Sequence, residues 1–153
     1  MDSFLNIMNF IVSRKTINSN DIIIYHDSVR PFTSYETVDE CIDSTLIYKL
    51  ATVAKPVTYT VLESPDGNYL DRSVDRKTLF EIHTPSDFNL ELLYNEFKNV
   101  DEQTKKRATC TSQLMIMQGH KVKTVTGHHG DFKITTDTDL NLAKYIIKNN
   151  KNI

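Results

Sequence analysis

The segment Asp21-Ile22-Ile23-Ile24-Tyr25-His26-Asp27-Ser28-Val29-Arg30-Pro31-Phe32 limits the possible folds more than any other part of the chain. Three isoleucines and a tyrosine read as a buried strand. That strand gives out on His, Asp and Arg, and Pro31 prevents its continuation. In open α/β sheets, ligands gather beyond the carboxyl ends of strands. Asp27 is a hard oxygen donor suited to a metal ion, and Arg30 a bidentate fork suited to a phosphate. A sheet with a ligand site at one end is the expectation.

The length of 153 residues fits one domain, 1–153, large enough to bury a core. A formal net charge of −2 gives no electrostatic case for nucleic acid. Cys41 and Cys110 lie far apart with no metal-type spacing, and read as free thiols of a reducing compartment. The apolar run Phe4–Val12 follows an acidic residue and precedes Arg14-Lys15, the reverse of a signal peptide. No run reaches the apolar length of a membrane span, so the chain reads as cytoplasmic.

Periodicity places a helix over residues 2–14, with Asp2-Ser3 as caps and Leu5, Met8, Ile11 and Val12 on one face. A strand follows at Ile22–Tyr25. Thr33-Ser34 precede a helix presenting Val38, Ile42, Thr45 and Leu46, and Ala51–Ala54 is a short apolar strand. Val57–Leu62 and Tyr69–Val74 flank the turn residues Ser64–Asn68, which predicts a hairpin arm at 57–74. Such an arm is marginal alone and needs a surface, for example a partner subunit. Thr78–Ile82 reads as a strand ending at His83-Thr84-Pro85, with helices at Asp87–Lys98 and Thr109–Gln118. Val122–Val125 and Phe132–Thr135 read as short strands around Gly127-His128-His129-Gly130, before a helix at Asp137–Lys148 burying Leu140, Ala143, Ile146 and Ile147. Helices alternating with short strands argue an α/β domain.

Read as one string, IIIYHDSVRPF resembles the HD-[AS]-[AV]-RPF signature of the polyol-phosphate cytidylyltransferases, the ribitol 5-phosphate and 2-C-methyl-D-erythritol 4-phosphate enzymes. The likeness continues along the chain. Asp2-Ser3 is similar to a D-S-V segment, Val57-Thr58-Tyr59-Thr60 to V-x-D-T, and Asp75-Arg76 to a D-R pair. Thr84-Pro85 with Phe88 resembles T-P-Q-x-F, and Thr109 falls on the threonine of T-D-[AD]-[AC]. Asp131-Phe132-Lys133-Ile134-Thr135 through Asp139-Leu140 resembles N-[IL]-K-[IV]-T-x-x-x-D-L. Ser28 and the Lys-Ile-Thr-Thr run lean toward the ribitol 5-phosphate branch, which serves teichoic acid or capsule synthesis, over the isoprenoid branch.

The resemblance implies a Rossmann-like nucleotidyltransferase sheet, truncated at its N-terminal side, with an inserted β-hairpin arm. It implies transfer of CMP from CTP to a polyol phosphate with release of pyrophosphate. Lys133 and Asp27 would be catalytic, with Ser3 and Asp27 on the nucleotide. Arg30, Thr60, Arg76, Thr84 and Thr109 would bind the polyol phosphate, Thr60 and Arg76 across a homodimer formed through the arm. Mg²⁺ would sit on Asp27.

Family members open with a strand and a glycine-rich loop, G-x-G-x-R-x-x-x-x-x-P-K, which cradles the triphosphate. The four glycines here, Gly67, Gly119, Gly127 and Gly130, form no such loop. The expectation is activity that is incomplete without that segment. The alternative is a non-catalytic truncated homologue, a dimerisation partner of a full-length enzyme. Tyr59, Ser86 and Cys110 stand where the pattern has Asp, Gln and an acid. Among blander readings, adjacent His128 and His129 point to opposite faces and suit an exposed turn better than a metal. His26 suits a hydrogen bond better than a general base.

Overall fold

The computed structural model describes residues 2–14, 16–128 and 130–149, without the side chains of Asp2 and Ser3. Helix α1, Asp2–Arg14, leads to strand β1, Ile22–Tyr25. Helix α2, Tyr35–Tyr48, starts where Ser34 accepts a hydrogen bond from the Thr37 amide, and it ends at Lys49, whose φ of 71° turns the chain straight into β2, Leu50–Pro56. The strands β3, Leu62–Glu63, and β4, Arg72–Ser73, make the arm. Strand β5, Phe80–Asn89, runs into helix α3, Leu90–Asn99, and helices α4, Glu102–Arg107, and α5, Thr111–Met117, follow. Strand β6, Lys123–Thr126, and helix α6, Asp137–Asn149, complete the order.

The main sheet is ordered β1-β5-β2-β6. β5 pairs antiparallel with β1 and β2, whereas β6 lies parallel to β2. Alternation along β2 divides the core by face. Leu50 joins Met8, Phe88, Leu93, Phe97, Leu114 and Met115 on one side, and Ala51 and Val53 join Cys41 and Val125 on the other. One face is thus filled by α1, α3 and α5, and α2 covers the other.

The sheet is a mixed α/β one, as the sequence implied, but several elements differ from the periodic reading. β5 does not stop at His83-Thr84-Pro85; it continues to Asn89, whose side chain caps α3 by accepting from the Leu92 amide. The apolar signal fails there because Thr84, Ser86 and Asp87 are buried polar residues inside a strand. The hairpin keeps its turn, yet its ladder is only Leu62↔Ser73 and Glu63↔Arg72. Residues 132–135, expected as a strand, form a loop that pairs with no strand among the described residues. The buried face of α2 is Thr37, Cys41, Ser44 and Thr45, leaving Leu46 exposed, and α6 buries Ala143 while Leu140 and Ile147 stay exposed. The expected caps Asp2 and Ser3, His129, and the terminal residues 150–153 lie outside the described residues or side chains.

Candidate functional site

The loop leaving β1 is held in one conformation by its own groups. The Arg30 amide donates to the Asp27 carbonyl at 3.0 Å, and His26 Nε2 lies 3.1 Å from the Arg30 carbonyl, which fixes that nitrogen as the protonated one. His26 is therefore a hydrogen-bonded turn residue. The Asp27 amide donates to Thr84 Oγ1 at 3.0 Å, tying the loop to the middle of β5 and leaving the threonine hydroxyl proton free to point elsewhere.

A second loop, after β6, is fastened against the first. Phe132 stacks on Phe32 with ring centroids 5.5 Å apart. The Ile134 amide donates to the Val29 carbonyl at 2.9 Å, and Thr33 Oγ1 donates to Asp131 Oδ1 at 2.7 Å. These contacts bracket Lys133 and carry its Nζ to 3.1 Å from Asp27 Oδ2. The same carboxylate oxygen lies 3.4 Å from Arg30 Nε. Lys133 is thus placed by a loop, in contrast to the strand expected from its sequence.

The electrostatics favour a cationic, phosphate-seeking pocket. Burial would raise the Asp27 carboxyl, but hydrogen bonds and charge from Lys133 and Arg30 together hold it below its ordinary value. Asp27 is ionised at neutral pH. Arg30 is buried, and its Nη1 lies 2.9 Å from His83 Nδ1. A guanidinium can only donate, so Nδ1 is the unprotonated nitrogen and His83 is neutral. Burial first, then the charges of Arg30 and Lys55, lower the His83 value against the opposing pull of Asp131 and Glu81.

These groups open on a cavity of about 470 Å³, a size suited to a small metabolite. Asp27, Arg30, Thr84, Thr109 and Lys133 all line it, so five of the expected site residues meet. Thr109 is exposed, and its hydroxyl donates to Gln113 Oε1 at 2.8 Å. Thr60 and Arg76 do not line the cavity: Thr60 is exposed beside the arm, and Arg76 Nη1 donates to the Thr58 carbonyl at 2.7 Å within this chain. The Ser3 side chain lies outside the described residues. Sequence reasoning missed His83, Phe4 and Tyr25, which also line the cavity, and the supporting Asp131 and Lys55. His83 directly precedes a motif threonine, which is the one available signal.

Cys41 and Cys110 are free thiols. No helix among the described residues is long and apolar enough to cross a membrane.

Comparison with known proteins bears on the fold and the family. The chain is similar to the crystal structure of 2-C-methyl-D-erythritol 4-phosphate cytidylyltransferase from Thermus thermophilus, with 26% identity and a TM-score of 0.74 over 93% of this chain and 67% of that one. A 4-diphosphocytidyl-2C-methyl-D-erythritol synthase from Anaerococcus prevotii gives 26% identity and 0.76, over 93% of this chain and 62% of that one. The Francisella tularensis 2-C-methyl-D-erythritol 4-phosphate cytidylyltransferase shares the fold, at 20% identity and 0.79, over 91% of this chain and 65% of that one. The chain thus spans about two thirds of the length of these relatives. With a family model matching residues 9–149, the chain belongs to the IspD family, 2-C-methyl-D-erythritol 4-phosphate cytidylyltransferase.

Proposed function

We propose that this chain forms the acceptor side of a cytidylyltransferase site, which transfers CMP from CTP to 2-C-methyl-D-erythritol 4-phosphate in isoprenoid biosynthesis. The observation that carries the reading is the convergence of Asp27, Arg30, Thr84 and Lys133 on one cavity. The preference for ribitol 5-phosphate suggested by Ser28 finds no support, because the matching family model is the methylerythritol one.

In this reaction an oxygen of the acceptor phosphate attacks the α-phosphorus of CTP, the bond to the bridging oxygen breaks, and pyrophosphate departs. The nucleophile is already ionised, so no protein base is needed. The protein's work is positioning and charge neutralisation. Arg30 grips the acceptor phosphate bidentately, and the Thr84 hydroxyl, its oxygen engaged by the Asp27 amide, donates to it. Lys133 brings a compact positive charge to the α-phosphate, where charge builds in the transition state. Held beside Asp27, it is aimed before substrate arrives.

Among the described residues no group of three or more His, Cys, Asp or Glu could hold a metal alone. The donor set nevertheless fits Mg²⁺, which is commonly held by one or two carboxylates with substrate phosphates completing its shell. Asp27 would be that carboxylate. The ion, when bound, neutralises triphosphate charge.

These 153 residues carry no glycine-rich triphosphate loop, and a complete site needs such a wall as well. A homodimer through the arm would bring Thr60 and Arg76 to the neighbouring site, and the reaction belongs to the cytoplasm. The test measures pyrophosphate release from CTP and methylerythritol phosphate with Mg²⁺, with the chain alone and with a fragment bearing the loop. Turnover on complementation is the expected result, with ribitol 5-phosphate as the competing acceptor. No turnover with either acceptor in any combination overturns the reading and leaves the non-catalytic dimerisation partner.

A further inference from the structure

Asp131 is a buried carboxylate beside the site that its surroundings satisfy on one oxygen only. Its side chain is fully enclosed; Oδ1 accepts from Thr33, while Oδ2 has no hydrogen-bond partner among the described residues. Leaving a buried carboxylate oxygen unpaired is costly, and such an atom calls for an explanation. His83 Nδ1 lies 3.9 Å from it, and this is the nitrogen that accepts from Arg30 Nη1 at 2.9 Å.

One nitrogen therefore stands between two claims. Unprotonated, it holds the guanidinium and can give nothing to Asp131. Protonated, it can donate toward Asp131 Oδ2 and must release Arg30. The two bonds exclude each other. The other charges facing the ring are Glu81, with Oε2 at 3.7 Å from Nε2, and Lys55, whose amine donates to the Asp131 carbonyl at 3.1 Å.

We propose that His83 is a positioning residue for Arg30: its bare Nδ1 holds the guanidinium before ligand arrives, then yields it to an incoming phosphate by taking a proton that Asp131 stabilises. The inference rests on the reading of Arg30 as the acceptor-phosphate site. Only hydrogen bonds and one solvent proton change hands: the Arg30 N–H leaves Nδ1 for a phosphate oxygen, and the new Nδ1–H points to Oδ2. By linkage, a dianion at Arg30 and a proton on His83 favour each other. The lowered His83 value in the ligand-free chain, caused by burial and then by Arg30 and Lys55, leaves room for that uptake.

Calorimetry of the full chain with methylerythritol 4-phosphate, run near pH 7 in two buffers of different ionisation heat, tests this. Wild type is expected to take up roughly 0.3–1 proton per ligand bound. In His83→Gln, whose side-chain carbonyl still accepts from Arg30 but cannot titrate, the uptake disappears. Binding by wild type without uptake, or the same uptake in His83→Gln, overturns the proposal and leaves the site reading standing. No binding of this ligand or of inorganic phosphate removes both. Imidazole titration by NMR in the ligand-free chain gives an independent readout. Arg30→Gln should raise the His83 value and Asp131→Asn lower it, and an unchanged value in both folded variants overturns the proposal.

Discussion

Lys133 Nζ stands 3.1 Å from Asp27 Oδ2, although the two residues sit on loops that leave β6 and β1, the outermost strands of the four-stranded sheet. The loops meet because Phe132 stacks on Phe32 and Ile134 bonds to Val29. Removing the ammonium with Lys133→Met should lower kcat/KM of the complemented enzyme by about 10²–10³-fold, the usual effect of deleting one transition-state cation or donor. The same variant tests the electrostatics. Asp27 is held below its ordinary value, so its stabilising contribution is complete above about pH 4 and is lost as pH falls through the lowered folded value. Without Lys133, burial has one opponent fewer, and carboxyl NMR should show the Asp27 value rising.

Asp87 offers the opposite sign. Its carboxylate is fully buried in β5 with neither oxygen hydrogen-bonded among the described residues, and burial, eased only by Cys41, pushes it up to about 6. The unfolded chain titrates near pH 4, so the folded state binds the extra proton between roughly pH 4 and 6, and stability falls as pH rises through that window. Asp87→Asn removes this ionisation. Denaturant unfolding should show the variant gaining on wild type by about 2 kcal/mol between pH 4.5 and 7.5, the larger part of the free energy of holding a carboxyl proton roughly a hundredfold more tightly in the folded chain than in the unfolded one. A constant difference across that range would contradict the assignment. The Cys41 thiol, pushed up to about 12 by burial and then by Asp87, should stay unreactive toward alkylating agents in the folded protein.

Much of this is legible in the residues, for reasons that differ by element. α1 announces itself because Leu5, Met8 and Ile11 face one core at helical spacing, and Asp27 and Arg30 stand out because proline follows the strand beside them. β1, by contrast, read as a buried strand, lies at the sheet edge with Ile24 and Tyr25 exposed. The long β5 is hidden because its second half buries Thr84, Ser86 and Asp87, which read as a loop and a helix start. The inward face of α2 escapes the periodic reading for a related reason. That helix meets small sheet residues, Ala51 and Val53, so small and polar Thr37, Cys41 and Ser44 pack inward while Leu46 and Ile47 are left exposed. His83 carries no signal of its own, since a lone histidine in a strand is ordinarily a packed residue. Only the fold brings it against Arg30 and Asp131.

The arm predicts an assembly. Tyr59, Tyr69 and Leu70 are 80%, 77% and 72% exposed, and the two-residue ladder beneath them buries little. Exposed aromatic and aliphatic groups of this kind are what the proposed dimer contact would cover. If the arm dimerises the chain, Leu70→Glu should weaken self-association at least about tenfold, the effect expected of losing a contact worth more than about 1 kcal/mol. The main sheet lies outside the change, so the thermal midpoint of the dilute protein should hardly move. Sedimentation velocity over a concentration series separates the two effects. A wild-type chain that stays monomeric throughout would rule out this role.

Gly127 belongs to a stretch that reads in sequence as an exposed turn, yet it lies in the wall behind the site. A Cβ built there would meet Val53 Cγ1 at 2.6 Å, Lys55 Cε at 3.1 Å and Asp131 Oδ2 at 3.2 Å. The lysine end can move, but Val53 is fully buried in β2 and Asp131 is pinned by Thr33. Gly127→Ala should therefore overpack the wall and cost about 1–3 kcal/mol in denaturant unfolding. Because the strain falls on the loop bearing Asp131 and Lys133, affinity for the acceptor phosphate should fall with it. Gly130→Ala is the internal control, since its added Cβ would meet only His128 Nδ1 at an ordinary 3.6 Å. Equal losses in the two variants would show that general loop stiffening, and not the contact with Val53 and Asp131, governs the effect.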